Sequence, residues 1–185
     1  MNFDLSEEQI AIRGAVREFC EKEFTEELMR ECWESEEYPW ELSRKAARLG
    51  FIGIHFPEEY GGQGYGYLEN AIVAEEMVRA NPELGIPLTF ADFGTELILK
   101  FGTEEQKERY VPRIAGGEGL SAAAFTEPSG GSDISKCLGT IALREGDGYV
   151  VNGSKTFITN ANISDFVITI CQTDPEAEPP YRGQS

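Results

Sequence analysis

The hydrophobic pattern of this chain changes period near Gly117, and that change constrains the fold more than any other feature. Before it, apolar residues recur at steps of three and four, the spacing that lines one face of a helix. Ile12, Val16 and Phe19 form such a stripe, opened by Ser6 with Gln9 three residues on, a pair able to close a capping box. Pro39 suits the first turn of a second helix carrying Leu42, Ala46 and Leu49, with Gly50 at its C-terminal end. Leu68, Ala71, Ile72 and Val78 mark a third, broken at Asn81-Pro82. The apolar stretch from Leu88 to Phe101 ends at Gly102. Thr103-Glu104-Glu105-Gln106 repeats the capping box before a helix that Pro112 is expected to disturb or end.

From Gly117 onward the pattern has period two with tight turns, the signature of strands. Leu120 to Thr126 reads as one strand. Ile141-Ala142-Leu143 and Tyr149-Val150-Val151, joined by Gly146-Asp147-Gly148, read as a hairpin. Asn152-Gly153 is a hairpin-turn signal, because a type I′ turn needs positive φ at both central residues. Phe157-Ile158-Thr159 and Phe166 to Cys171 continue the β pattern, and residues 174–185 read as loop without a closing element. The fold class expected is α+β: an all-α domain over 1–116, then a truncated, antiparallel β-barrel-like domain over 117–185.

Composition excludes several functions. The 185 residues carry a net charge of −17, most of it in the helical part, as solvated helix faces would. A balance that acidic repels phosphate backbones and anionic lipid, so neither nucleic acid nor a membrane is an expected partner. No apolar run is long enough to span a bilayer. Met1-Asn2-Phe3-Asp4 lacks the basic and apolar regions of a leader, so export is not expected. Cys20, Cys32, Cys137 and Cys171 are scattered, and His55 is the one histidine, so no Cys/His zinc spacing exists and no metal site is expected. The thiols read as reduced and mostly buried, in a cytoplasmic protein. A Ser-His or Cys-His nucleophile would have to run through His55, which has no nucleophile elbow near it.

Three motifs remain. Tyr60-Gly61-Gly62-Gln63-Gly64-Tyr65-Gly66 is glycine-rich, but no Gly-Lys-Ser/Thr follows and no strand-loop-helix unit frames it, so it reads as an interhelical loop. Thr126-Glu127-Pro128-Ser129-Gly130-Gly131-Ser132-Asp133 packs small residues, backbone donors and hydroxyls behind a strand. It fits either a loop holding the edge of a planar ligand with a phosphate nearby, or an ordinary polar turn. Lys155-Thr156-Phe157-Ile158-Thr159-Asn160-Ala161, if extended, sets Lys155, Phe157 and Thr159 on one face. That fits a ring-flanking surface or a plain cross-strand pair.

Taken together, Ala124 to Asp133 followed by Lys155 to Ala161 resembles the acyl-CoA dehydrogenase family. Pro57-Glu58-Glu59-Tyr60-Gly61-Gly62 and Phe101-Gly102-Thr103-Glu104-Glu105-Gln106-Lys107 match it too, in order, and the likeness runs from Leu5 to about Pro175. The resemblance implies an N-terminal helical domain, a middle β domain and a C-terminal four-helix domain around FAD. The first two map onto this chain, which then reads as a fragment.

By position, the resemblance implies that Ala123, Ala124, Phe125, Thr126, Gly131 and Ser132 line the flavin, with Ser132 also near the acyl-CoA. Phe157 would cover one ring face, with Ile158 and Thr159 beside the ring. Phe157 stands where many members carry tryptophan, and a phenyl ring stacks without offering an indole N–H. Lys136 stands where a small residue is usual. The implied chemistry is α,β-dehydrogenation of an acyl-CoA thioester, with electrons passed to an electron-transfer flavoprotein by a homotetramer. An acyl-CoA oxidase, a nitroalkane-oxidase-like enzyme or a non-catalytic nucleotide- or acyl-CoA-binding module on the same fold are the alternatives. The family's catalytic glutamate lies in the C-terminal domain, so no residue here matches it. Glu127 matches a structural glutamate of the Thr-Glu-Pro motif. Leu88, Thr89, Phe90 and Phe93 are candidates for the floor of the acyl pocket or for plain core packing.

Overall fold

The computed structural model describes residues 4–185, so the leader reading at Met1-Asn2-Phe3 lies outside the described residues. The chain divides into two compact units, one ending at Leu120 and the other spanning Ser121–Ser185.

The first unit is helical, and its helices start where the chain supplies caps. Helix α1 (Glu7–Glu23) opens with the expected capping box: Gln9 N–H donates to Ser6 Oγ at 3.1 Å, and Ser6 N–H donates to Gln9 Oε1 at 2.9 Å. Its stripe of Val16, Phe19 and Cys20 is buried. Helix α2 (Glu26–Ser35), capped by the Thr25 hydroxyl, has no fully buried residue; Leu28, Met29 and Cys32 only half-bury against the core, too faint a stripe for periodicity to reveal. Helix α3 (Trp40–Arg48) starts after Pro39, and Gly50 follows its end at φ +76°.

Helix α4 (Tyr67–Ala80) buries Ile72, Val73, Glu76 and Met77, while Leu68 is left 55% exposed, so its buried face is rotated from the expected stripe. Glu76 causes this rotation to be tolerable: its carboxylate accepts two hydrogen bonds from the Arg17 guanidinium on α1, at 2.6 and 2.8 Å. Asn81-Pro82 does end α4, and it also starts α5 (Pro82–Thr89), where the Asn81 side chain accepts from the N–H groups of Glu83 and Leu84. Helix α6 (Thr95–Phe101) ends at Gly102. Helix α7 (Glu104–Ala115) has the second capping box, Thr103 with Gln106. It continues through Pro112 because Val111, Ile114 and Ala115 on either side of the proline are buried, which offsets the lost backbone bond. The core joins Val16, Phe19, Leu42, Phe51, Ile54, Met77, Leu84 and Leu88, with Phe19 and Phe51 edge to face at 5.6 Å.

The glycine-rich loop packs instead of opening. Gly61 takes φ +92° after a 3-10 turn at Glu58–Tyr60, and a Cβ on Gly62 would sit 2.1 Å from the Phe56 carbonyl oxygen. The Tyr60 hydroxyl donates to Glu104 at 2.7 Å.

The second unit is small. Strand β1 (Ser121–Ala124) pairs in parallel with β4 (Phe166–Thr169), Ser121 opposite Phe166 and Ala124 opposite Thr169. Strands β2 (Ile141–Glu145) and β3 (Gly148–Asn152) form the expected hairpin, turning at Gly146-Asp147. These two-stranded sheets do not close a barrel, and one of them is parallel where antiparallel pairing was expected. Asn152-Gly153 does not turn the chain into a hairpin. Gly153 sits at φ +157°, where a Cβ would lie 2.4 Å from Thr140 Cα, so the glycine serves a close backbone approach. The residues that read as an open C-terminal loop fold back, with Cys171 and Ser185 exchanging backbone hydrogen bonds at 2.8 and 2.9 Å.

The packing at Gly62 sets a contrast with Gly14 in α1, whose added Cβ would meet nothing within 4 Å. Gly62→Ala is expected to destabilise the chain by more than about 2 kcal/mol, because backbone must move. Gly14→Ala is expected to stabilise it by about 0.5–1 kcal/mol. Chemical denaturation of both variants checks the pair.

Candidate functional site

The expected ligand-loop residues sit together in the β unit. Ala123 and Ala124 are buried on β1, and Phe125 and Thr126 continue from it half-buried. Glu127 and Gly130 exchange backbone hydrogen bonds at 2.9 and 3.0 Å, closing a tight turn that presents half-buried Gly131 and exposed Ser132. A Cβ on Gly131 would come within 3.1 Å of Thr126 Cγ2, so the turn is narrow there. Below it, the buried Cys137 thiol donates to the Gly130 carbonyl at 3.0 Å.

Residues 155–161 approach this loop, but not as a strand. Thr156 N–H donates to the Thr126 carbonyl at 3.0 Å, and the Lys155 ammonium donates to the Phe125 carbonyl at 3.2 Å. Phe157 then takes φ +57° and Asn160 φ +65°, so the segment turns rather than alternates. The expected shared face of Lys155, Phe157 and Thr159 therefore does not form; Lys155 is anchored inward while the Phe157 ring stands 92% exposed. Ile158 is half-buried and Thr159 exposed. A bulky residue held in left-handed backbone costs on the order of 1 kcal/mol, which the two anchoring bonds just before it oppose.

Glu127 organises both segments. Its Oε1 accepts from Lys155 at 3.0 Å and Thr140 N–H at 2.8 Å, and its Oε2 accepts from Gly139 N–H at 2.8 Å and the Ser129 hydroxyl at 3.3 Å. Both members of the ion pair are nearly buried, Glu127 at 2% and Lys155 at 9% side-chain exposure. Burial pushes the carboxyl up, but the Lys155 ammonium and the Gly139 and Thr140 donors outweigh it and hold the group down at about 2. Sequence reading had no signal for Lys155 as a partner, because the residues lie on different elements.

In the helical unit, Leu88 belongs to the core, and Phe90 and Phe93 pack ring to ring at 5.4 Å with part of each exposed. Beside them, burial and the Glu96 charge push the Asp92 carboxyl up to about 7 against the opposing pull of His55. All four cysteines are free thiols. Among the described residues, no helix is long and apolar enough to cross a membrane.

Glu127→Gln removes the carboxylate paired with Lys155, and it is expected to cost about 3 kcal/mol, the scale of a broken buried ion pair. Because Glu127 is held at about 2 from an ordinary 4.5, its contribution is complete above 4.5 and is lost as pH falls from there toward 2. Unfolding measured across that window should show the acid loss in the parent chain and a smaller one in the variant.

Comparisons with known proteins identify the family. The acyl-CoA dehydrogenase N-terminal-domain model matches residues 6–118, and the middle-domain model of the same family matches residues 122–185. A short-chain-specific acyl-CoA dehydrogenase of Clostridium acetobutylicum is 40% identical over 175 residues, covering 94% of this chain and 46% of the relative. The CarC subunit of a caffeyl-CoA reductase–Etf complex from Acetobacterium woodii is 41% identical over 173 residues, 91% of this chain and 45% of that one. An acyl-CoA dehydrogenase structure from Geobacillus kaustophilus superposes with a TM-score of 0.86 at 36% identity, over 100% of this chain and 48% of its own. A Bacillus anthracis acyl-CoA dehydrogenase solved with FAD gives 0.80 at 37% identity, over 94% and 30%. The chain thus spans about half the length of the curated relatives it matches, and in fold, motif order and sequence it belongs to the acyl-CoA dehydrogenase family.

Proposed function

We propose that these residues form the flavin-side portion of an enzyme that dehydrogenates an acyl-CoA thioester between its α and β carbons and passes the electrons to an electron-transfer flavoprotein. The observation that carries this reading is the pairing of an almost fully exposed Phe157 with the small-residue turn 126–132, both hung on the Glu127–Lys155 ion pair. An aromatic ring held outward in left-handed backbone, beside backbone donors and open hydroxyls, fits one face and one edge of an isoalloxazine.

FAD, when bound, supplies the acceptor for the hydride that leaves the β carbon. The chain's own residues then have distinct tasks. Backbone groups from Ala123 to Thr126 and the Thr126 hydroxyl would orient the ring edge, while Gly131 and Ser132 would hold the phosphate side and the nearby acyl-CoA. Phe157, with Ile158 and Thr159 beside it, would cover the ring and exclude water. Glu127 does not take the α proton: a carboxylate held at about 2 by four donors is too weak a base, and its lone pairs are occupied. The base is assigned outside residues 1–185, as the resemblance implies. The full protein is proposed to be a cytoplasmic homotetramer of fatty-acid metabolism, and the isolated residues 1–185 to bind FAD weakly or not at all.

Anaerobic addition of acyl-CoA thioesters to the FAD-loaded full-length protein tests this. The visible flavin bands should bleach and recover when an electron-transfer flavoprotein is added. Recovery with oxygen alone would favour an oxidase, and no bleaching with any thioester would overturn the reading. Phe157→Ala should weaken flavin retention roughly tenfold, the scale of a lost aromatic stack.

A further inference from the structure

A cluster in the helical unit lies outside everything assigned above. His55 is in the turn segment between α3 and α4, Asp92 precedes α6, and Glu96 is in the first turn of α6. One nitrogen or carboxylate oxygen from each lies within 4.8 Å of the others. The His55 side chain is 4% exposed, and neither ring nitrogen makes a hydrogen bond. Its ring is wedged between Phe56 at 4.8 Å and Tyr67 at 5.1 Å, and Nε2 faces Glu96 Oε1 at 3.4 Å. Asp92 is 9% exposed.

The unexplained part of this arrangement is the imidazole, whose two buried nitrogens have no hydrogen-bond partner. A buried imidazole ordinarily has its tautomer fixed by a hydrogen bond, and this one has none. Buried Asp92 and part-exposed Glu96 bring two carboxyl groups to the same imidazole. A dication would take the imidazole lone pair and bind the carboxylates beside it.

We propose that His55, Asp92 and Glu96 bind a first-row divalent metal ion. One imidazole and two carboxylates suit Zn(II), Co(II), Mn(II) or Fe(II), in contrast to the all-oxygen shell of Ca(II) and the thiolates of Cu(I). Zinc bonds of about 2.0–2.2 Å need ligand atoms closer together than 4.8 Å, and the Glu96 side chain, 36% exposed, would close the gap by leaving the backbone donors at Gly94 and Glu96. The same exposure provides the path of entry, and water completes the coordination. The ion would pin the segment around His55 to the turn before α6. The proposal does not rest on flavin binding or on acyl-CoA chemistry.

The test uses the 185-residue chain, stripped with a chelator and then titrated with Zn(II) by calorimetry and with Co(II) by visible absorption. One equivalent should bind, the melting temperature should rise, and the cobalt bands should lack thiolate charge transfer, which rules out the four cysteines as ligands. Glu96→Gln and His55→Asn should each weaken binding by more than about 100-fold, beyond the loss of an outer-sphere partner. Should His55→Asn fail to fold, Glu96→Gln alone decides, since that side chain is half open to solvent. Absence of a saturable single equivalent, a thiolate band, or unchanged affinity in Glu96→Gln would overturn the proposal.

Discussion

The β unit depends on one buried ion pair. Glu127 and Lys155 are each nearly removed from water, and separately either charge would be costly. Together they satisfy the backbone at Phe125, Gly139 and Thr140, which come from the turn after β1 and the approach to β2. Two two-stranded sheets cannot hold such segments in place by ladder bonds alone. The carboxylate supplies the junction that a larger sheet would otherwise provide. The exposed Phe157 is a consequence: once Lys155 is drawn inward and Thr156 is bonded to Thr126, the next residue must turn outward.

The helical unit has a related ion pair in which only the acid is buried, Arg17 being 45% exposed and Glu76 5%. Arg17 clamps Glu76 with two hydrogen bonds, and this lets α4 bury a charged residue between Ile72 and Met77. Apolar periodicity is blind to a buried charge, so Leu68 and Val78 predict a face slightly rotated from the one α4 buries. Caps were the more legible signal, because their chemistry is local. Ser6 with Gln9, Thr103 with Gln106, and Gly50 after α3 all act where the spacing predicts. Helix α2 was illegible for the opposite reason, since its partly buried Leu28, Met29 and Cys32 are embedded in acidic residues.

Errors in the β unit arise from long-range pairing. Asn152-Gly153 is a sound local turn signal, but the following residues are drawn to the loop at Phe125 and Glu127, so no second strand exists for a hairpin. The same pull prevents Phe157-Ile158-Thr159 from being a strand. The site itself was legible as two motifs that together resemble one family, and the structure brings those motifs into hydrogen-bonded contact through Thr126 and Thr156. Neither motif alone separated a ligand loop from a polar turn. The His55–Asp92–Glu96 cluster was invisible to spacing rules, because its members meet only through the packing of α6 on the turn that carries His55.

The central claim is that residues 123–132 and 155–159 are one flavin-facing surface held by Glu127. The most direct measurement is an amide chemical-shift titration of the 185-residue chain with FAD, which registers weak binding as readily as strong. The account predicts saturable shifts concentrated between Ala123 and Ser132 and between Thr156 and Asn160, lost in Glu127→Gln. Saturable shifts centred elsewhere, or shifts at these residues that persist unchanged in Glu127→Gln, would contradict it.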